Sequence, residues 1–156
     1  MIDIVLLILC IFVGFVLGRR SERMLFNKER LFTSMHDFAR NLLYNARYTK
    51  LPLKEFVENY NAGNGAEVFS QCVDRYFYGK DVAISAKLTA QQQKYIEDFW
   101  HNLSALNTEQ FVGHVEYYGN YFADQSEKLR KECADKASLG PKLGILIGAI
   151  VGLMLM

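Results

Sequence analysis

The stretch SLGPKLGILIGAIVGLMLM, residues 138–156, sets a glycine at 140, 144, 148 and 152, and nothing polar follows Lys142. In a water-soluble helix each of these glycines would cost roughly 0.5–1 kcal/mol relative to alanine. A long exposed apolar run would also invite association. A bilayer removes both objections, because a helix there satisfies its own backbone polar groups. Residues four apart share one helical face. Gly140, Gly144, Gly148 and Gly152 would therefore form a groove that admits a second helix closely, the small-xxx-small packing face. A transmembrane helix over 139–156 is the expectation. The run from Leu143 to Met156 alone reaches only ~21 Å against a hydrocarbon core of ~30 Å, a length that also suits a buried core helix. A terminal carboxylate at one interface and a snorkelling Lys142 at the other would let it span. Pro141 is expected to kink or bound the helix.

The opposite end has the same character. Residues 4–18, IVLLILCIFVGFVLG, carry no charge, and RRSER follows at once. A cleaved secretory signal places its positive charges before the apolar region. The order here is reversed and suits an anchor, giving a first transmembrane helix over 1–18. Gly14 and Gly18 repeat the four-residue spacing. The partner of the terminal glycine face is then either this helix or a second copy of the chain. Basic residues lie only on the inner flanks: Arg19, Arg20, Arg23, Lys28 and Arg30 after the first stretch, and Lys128, Arg130, Lys131, Lys136 and Lys142 around the start of the second. The positive-inside rule makes the region between them, 19–137, cytosolic, with both termini on the far side of a cell membrane.

Between its apolar ends the chain of 156 residues retains enough length for one domain with its own core. Eighteen basic and 17 acidic residues give a formal net charge of +1, which offers nucleic acid no general attraction. Cys10, Cys72 and Cys133 stand far apart, without zinc spacing or a paired framework, as expected of free thiols in a reducing cytosol.

The central region reads as helix throughout. Leu31, Phe32, Met35, Phe38, Ala39, Leu42, Leu43 and Ala46 recur in steps of one, three and four, tracing one helical face. No breaker separates them from RRSER, so the first stretch and this helix could form one long rod. YTKLPLKEF turns the chain, with Pro52 forcing Leu51 extended and a helix starting near Leu53. NAGNG at 61–65 is a loop, followed by a helix over 66–78 ending near Gly79 and a short segment around 81–86. Thr89 caps the next helix, whose apolar stripe is Tyr95, Ile96, Phe99, Trp100, Leu103 and Leu106. Asn107 or Thr108 caps the last, in which Phe111, Val115, Tyr118, Phe122, Gln125 and Leu129 alternate in steps of four and three. The fold class expected is all-α: an antiparallel helical bundle held at the membrane by its N-terminal and C-terminal helices.

Chemistry-bearing constellations are sparse. His114 and Glu116 sit two apart and cannot chelate together on a helix. Glu109, Gln110 and His101 could approach His114 as a loose set. Asp98-x-x-His101 is the one near match to the Glu-x-x-His pairs of carboxylate bundles. Hydrogen-bonded histidines are the simpler reading, and Cys72 and Cys133 read as small apolar packing residues. The sequence GNG at 63–65 lacks the lysine and hydroxyl residue of a phosphate loop. Tyr117, Tyr118, Tyr121 and Phe122, like Tyr76, Phe77 and Tyr78, suit core packing, with a partner-binding patch as the alternative. Neither catalytic residues, nor a cofactor, nor a metal site is expected. A membrane-tethered interaction module is the reading, against a small helical membrane enzyme with a bundle metal or a stand-alone two-helix membrane regulator.

Three segments in order resemble the stage III sporulation protein AB family. They are Tyr48 to Phe56, YTKLPLKEF; Phe99 to Gln110, FWHNLSALNTEQ; and Lys136 to Gly148, KASLGPKLGILIG. Leu51 stands where that family has threonine, and Trp100 and Ser104 where glycines are usual. The resemblance implies a component of a sporulation-associated, secretion-like transenvelope complex in the mother-cell membrane. It further implies a cytosolic domain similar to that of the type II secretion platform protein. The partners implied are a cytosolic hexameric ATPase and other membrane subunits.

Overall fold

A computed structural model describes the backbone of residues 2–103 and 108–154. Side-chain surroundings are described for 12–13, 16, 19–20, 22–103, 110–136, 146–147 and 150. The described residues are helical or irregular, without a strand. Helix α1 runs over Ile2–Tyr44, continuous from the first apolar stretch as the missing breaker allows. Helices α2 (Leu53–Asn59), α3 (Ala66–Tyr76), α4 (Ala90–Asn102) and α5 (Thr108–Met154) follow. The chain divides into two compact units, Asn27–Leu129 and a second that joins Met1–Phe26 with Arg130–Met156.

The core of the 27–129 unit is the stripe read from the sequence. Leu31, Phe32, Met35 and Phe38 are fully buried, with Ala39 and Leu42 nearly so. Phe38 is the hub, its ring meeting Phe56 at 5.5 Å, Tyr60 at 5.1 Å, Phe69 at 5.3 Å and Trp100 at 5.1 Å between centroids. One α1 side chain thus ties together residues of α2, α3 and α4 and the α2–α3 connection. Ile96 and Phe99 from α4 and Val115 and Phe122 from α5 complete the interior. The α1–α5 approach depends on Gly119, where a Cβ would lie 3.3 Å from that of Ala39.

Capping defines α4 as expected, and more fully. Thr89 Oγ1 accepts from the Gln92 amide, and the Gln92 side chain accepts in return from the Thr89 amide, a capping box. The same Gln92 side chain donates to Gln125 of α5 at 2.9 Å, which satisfies a buried amide that the sequence did not single out.

Two expectations change. Residues 81–86 form no helix; they are tethered instead, with Ser85 donating twice to Gln71 and Asn27 donating to the Ser85 carbonyl. Those side chains satisfy the backbone groups that a helical turn would have paired internally. Second, α5 continues through Pro141 rather than ending there. A proline forfeits one backbone donor but leaves the remaining ladder on both sides able to carry the helix. Among the described residues no helix is long and apolar enough to cross a membrane. Most side chains of the apolar ends lie outside those residues.

Candidate interaction surface

The six glycines singled out for helix packing occupy α1 (Gly14, Gly18) and α5 (Gly140, Gly144, Gly148, Gly152). Their surroundings lie outside the described residues. The glycines with a visible packing role lie elsewhere, at Gly65 and Gly119.

Two of the three histidines hold backbone carbonyls, and His101 is exposed. His36 Nδ1 lies 3.1 Å from the Gly119 carbonyl, and His114 Nε2 lies 3.1 Å from the Phe99 carbonyl. A carbonyl only accepts, so each of these ring nitrogens carries the proton and donates. The His114 ring also stacks on Phe99, nearly parallel at 5.8 Å. Among the described residues no three His, Cys, Asp or Glu side chains converge as a metal site. Cys72 is fully buried, and that burial pushes its thiol up to about 12, which suppresses the thiolate needed for nucleophilic chemistry. The nearby Trp100 indole opposes the shift, although its Nε1 makes no hydrogen bond of ordinary geometry among the described residues. Cys133 is buried as well.

The aromatic clusters mostly pack inward. Phe122 is fully buried, Tyr121 stacks on Tyr95 at 4.2 Å, and Phe77 meets Trp100 at 5.7 Å. Tyr117 and Tyr78 remain exposed.

The segment that closes α1 is different. Asn45–Thr49 form a π-helical turn in which the Lys50 amide donates to the Asn45 carbonyl at 2.7 Å. Lys50 adopts the left-handed conformation, φ +54°. The buried Asn45 side chain holds both polar groups of Leu51, accepting from its amide and donating to its carbonyl, each at 3.0 Å. An amide that mimics a backbone strand fixes the turn at a defined geometry. Beside it lies an open pit of about 450 Å³ lined by Leu42, Asn45, Ala46, Lys50, Leu51, Leu53 and Phe111. Tyr44 and Tyr48 stack on each other at 4.8 Å while 61% and 70% exposed. Arg47 pairs with Glu116 at 3.0 Å. In the sequence this stretch reads as the end of the α1 stripe at Ala46 and the turn at 48–56 that also carries the family resemblance, whereas the Asn45–Leu51 and Arg47–Glu116 contacts exist only where α1, the turn and α5 meet.

A second depression of about 570 Å³ lies between α1 and the 60–65 loop. Its charges are mixed, with Arg30 and Arg40 beside Glu29 and Asp37.

No curated protein and no solved structure matches the chain. The family model of stage III sporulation protein AB matches residues 3–156. With that match running over nearly the whole sequence, and with the turn at Tyr48–Phe56 and the all-helical bundle in place, the chain belongs to the stage III sporulation protein AB family.

Proposed function

We propose that this sporulation-related protein is a structural, non-catalytic component of a secretion-like transenvelope complex. It holds a cytosolic hexameric ATPase against membrane subunits. The two apolar ends cross the cell membrane, and the helical bundle stands on the cytosolic, mother-cell side. The observation that carries this reading is the division of the chain. Both apolar ends fall in one unit, with basic residues on their inner flanks, while the aromatic-centred bundle forms the other. Such a division suits a tether better than a catalyst. Membership of the stage III sporulation protein AB family suggests the kind of partner.

The test is the location of the ATPase in sporulating cells. It should sediment with membranes when the chain is present and move to the soluble fraction when the gene is deleted. Restoring the full chain should return it. An ATPase whose membrane fraction is unchanged by deletion would refute the linking role.

A further inference from the structure

We propose that the α1–α2 turn is the docking surface for an acidic segment of a protein partner, seated by one apolar side chain in the pit at Leu51 and Phe111. The inference rests on the assembly role proposed above and names the surface and the partner chemistry.

Residues 40–54, RNLLYNARYTKLPLK, contain Arg40, Arg47, Lys50 and Lys54 and no acid. Arg47 is answered by Glu116. Lys50 and Lys54 have no ion-pair partner among the described residues, and both are exposed. Lys50 lines the pit itself, and Lys54 follows directly on Leu53, which also lines it. The pit floor is mostly apolar, formed by Leu42, Ala46 and Phe111, and Leu51 at its edge is 37% exposed. Among the described residues Lys50 is the one charged residue lining the recess, and with Lys54 beside Leu53 it makes the recess complementary to a segment carrying Asp or Glu next to a hydrophobic anchor, the pattern of buried anchor and charged periphery in protein interfaces.

The geometry is also prepared in advance. A left-handed lysine is an uncommon conformation that the surrounding structure must hold, and here the Asn45 side chain does so through both polar groups of Leu51. A turn fixed in this way presents its recess without a backbone ordering cost on binding.

The experiment uses the full chain in the membranes of sporulating cells. A photo-crosslinking amino acid replaces Leu51, with Lys94 on α4 as the comparison position, and the captured segment is sequenced. The expected product is a protein segment rich in Asp and Glu around an apolar residue, formed from position 51 at least tenfold more than from position 94. Lys50→Asn combined with Lys54→Gln should lower the yield at least tenfold. Asparagine tolerates the left-handed conformation, so this variant removes charge without adding strain. Lys54→Arg should keep the yield. A captured basic segment, lipid, nucleic acid or second copy of this chain would overturn the proposal, as would no capture at all. The mass of the solubilised complex is measured in parallel. A high-mass complex with no acidic capture refutes the surface alone, whereas a chain that runs by itself refutes the assembly reading as well.

Discussion

Replacing Gly65 with alanine should loosen the bundle at the contact between the 61–65 loop and α1. The backbone at Gly65 has φ −98°, ψ +5°, which alanine can adopt, so the cost is steric rather than conformational. A Cβ built there overlaps Ser34 Oγ, lies 2.9 Å from the Arg30 carbonyl oxygen and 3.2 Å from Ser34 Cβ. The hydroxyl can rotate away cheaply, since its one hydrogen bond, to the Ala62 carbonyl, is long at 3.4 Å. The Arg30 carbonyl cannot, because it belongs to the backbone of α1. Overpacking of this kind costs about 1–3 kcal/mol, and an unyielding backbone atom places the value at about 2–3 kcal/mol. Adding Ser34→Ala removes the hydroxyl overlap but leaves the carbonyl, so it should recover only part of the loss. Gly63→Ala is the contrast. That position has φ +56° with nothing within 4 Å of a new Cβ, so only the left-handed strain of about 1–2 kcal/mol applies. The single tryptophan, Trp100, is buried in the bundle and reports urea unfolding by fluorescence. A Gly65→Ala chain within about 0.5 kcal/mol of the parent, well under the overpacking range, would refute the reasoning. So would a larger loss from Gly63→Ala.

Phe38→Ala removes a fully buried ring that meets five other aromatic rings. It should cost about 3–5 kcal/mol in the same urea assay, much of the margin of an ordinary domain. Thr89→Ala breaks one half of the capping box and should cost about 0.5–2 kcal/mol, with amide exchange accelerated in the first turn of α4. Stability should fall as pH rises from about 9 toward 12, since burial raises Cys72 and the Tyr60 hydroxyl and so favours their neutral forms in the fold. Cys72→Ala should flatten part of that decline in pH-dependent unfolding measurements. Changing Gly144 and Gly148 together to leucine should leave the chain in the membrane but weaken cysteine crosslinking between the first and last helices, whereas leucine at Ile145 and Ile147 should not. Equal crosslinking in both variants would show that this glycine face does not pack against the first helix.

The helices were legible because their signals are local. The stripe from Leu31 to Leu42, the Pro52 turn into Leu53 and the Thr89 cap each follow from spacing and residue type within a few positions. The α1–α2 turn was not legible in the same way. Asn45 is an unremarkable residue until its side chain meets Leu51, and the π-helical turn it closes has no sequence period of its own. Gly65 and Gly119 matter because of Arg30, Ser34 and Ala39, neighbours reached only through the tertiary fold. The regular ladder at 140–152 is conspicuous in the sequence, yet the described close approaches belong to two isolated glycines. At 81–86, the Ser85 amide donates to the Gln71 side chain and its carbonyl accepts from Asn27, contacts that no local pattern announces. Pro141 is the converse case, a strong local breaker carried through by the helix around it.

In the proposed role, the bundle joins a cytosolic ATPase to a membrane assembly. Native mass measurement on the complex purified through a tag in the 61–65 loop, from gently solubilised membranes of sporulating cells, tests it most directly. The expected product is an assembly containing this chain, a cytosolic ATPase and at least one other membrane subunit, with less ATPase recovered from a Phe38→Ala chain in proportion to its lost stability. Recovery of the folded chain alone, or only with further copies of itself, would contradict it.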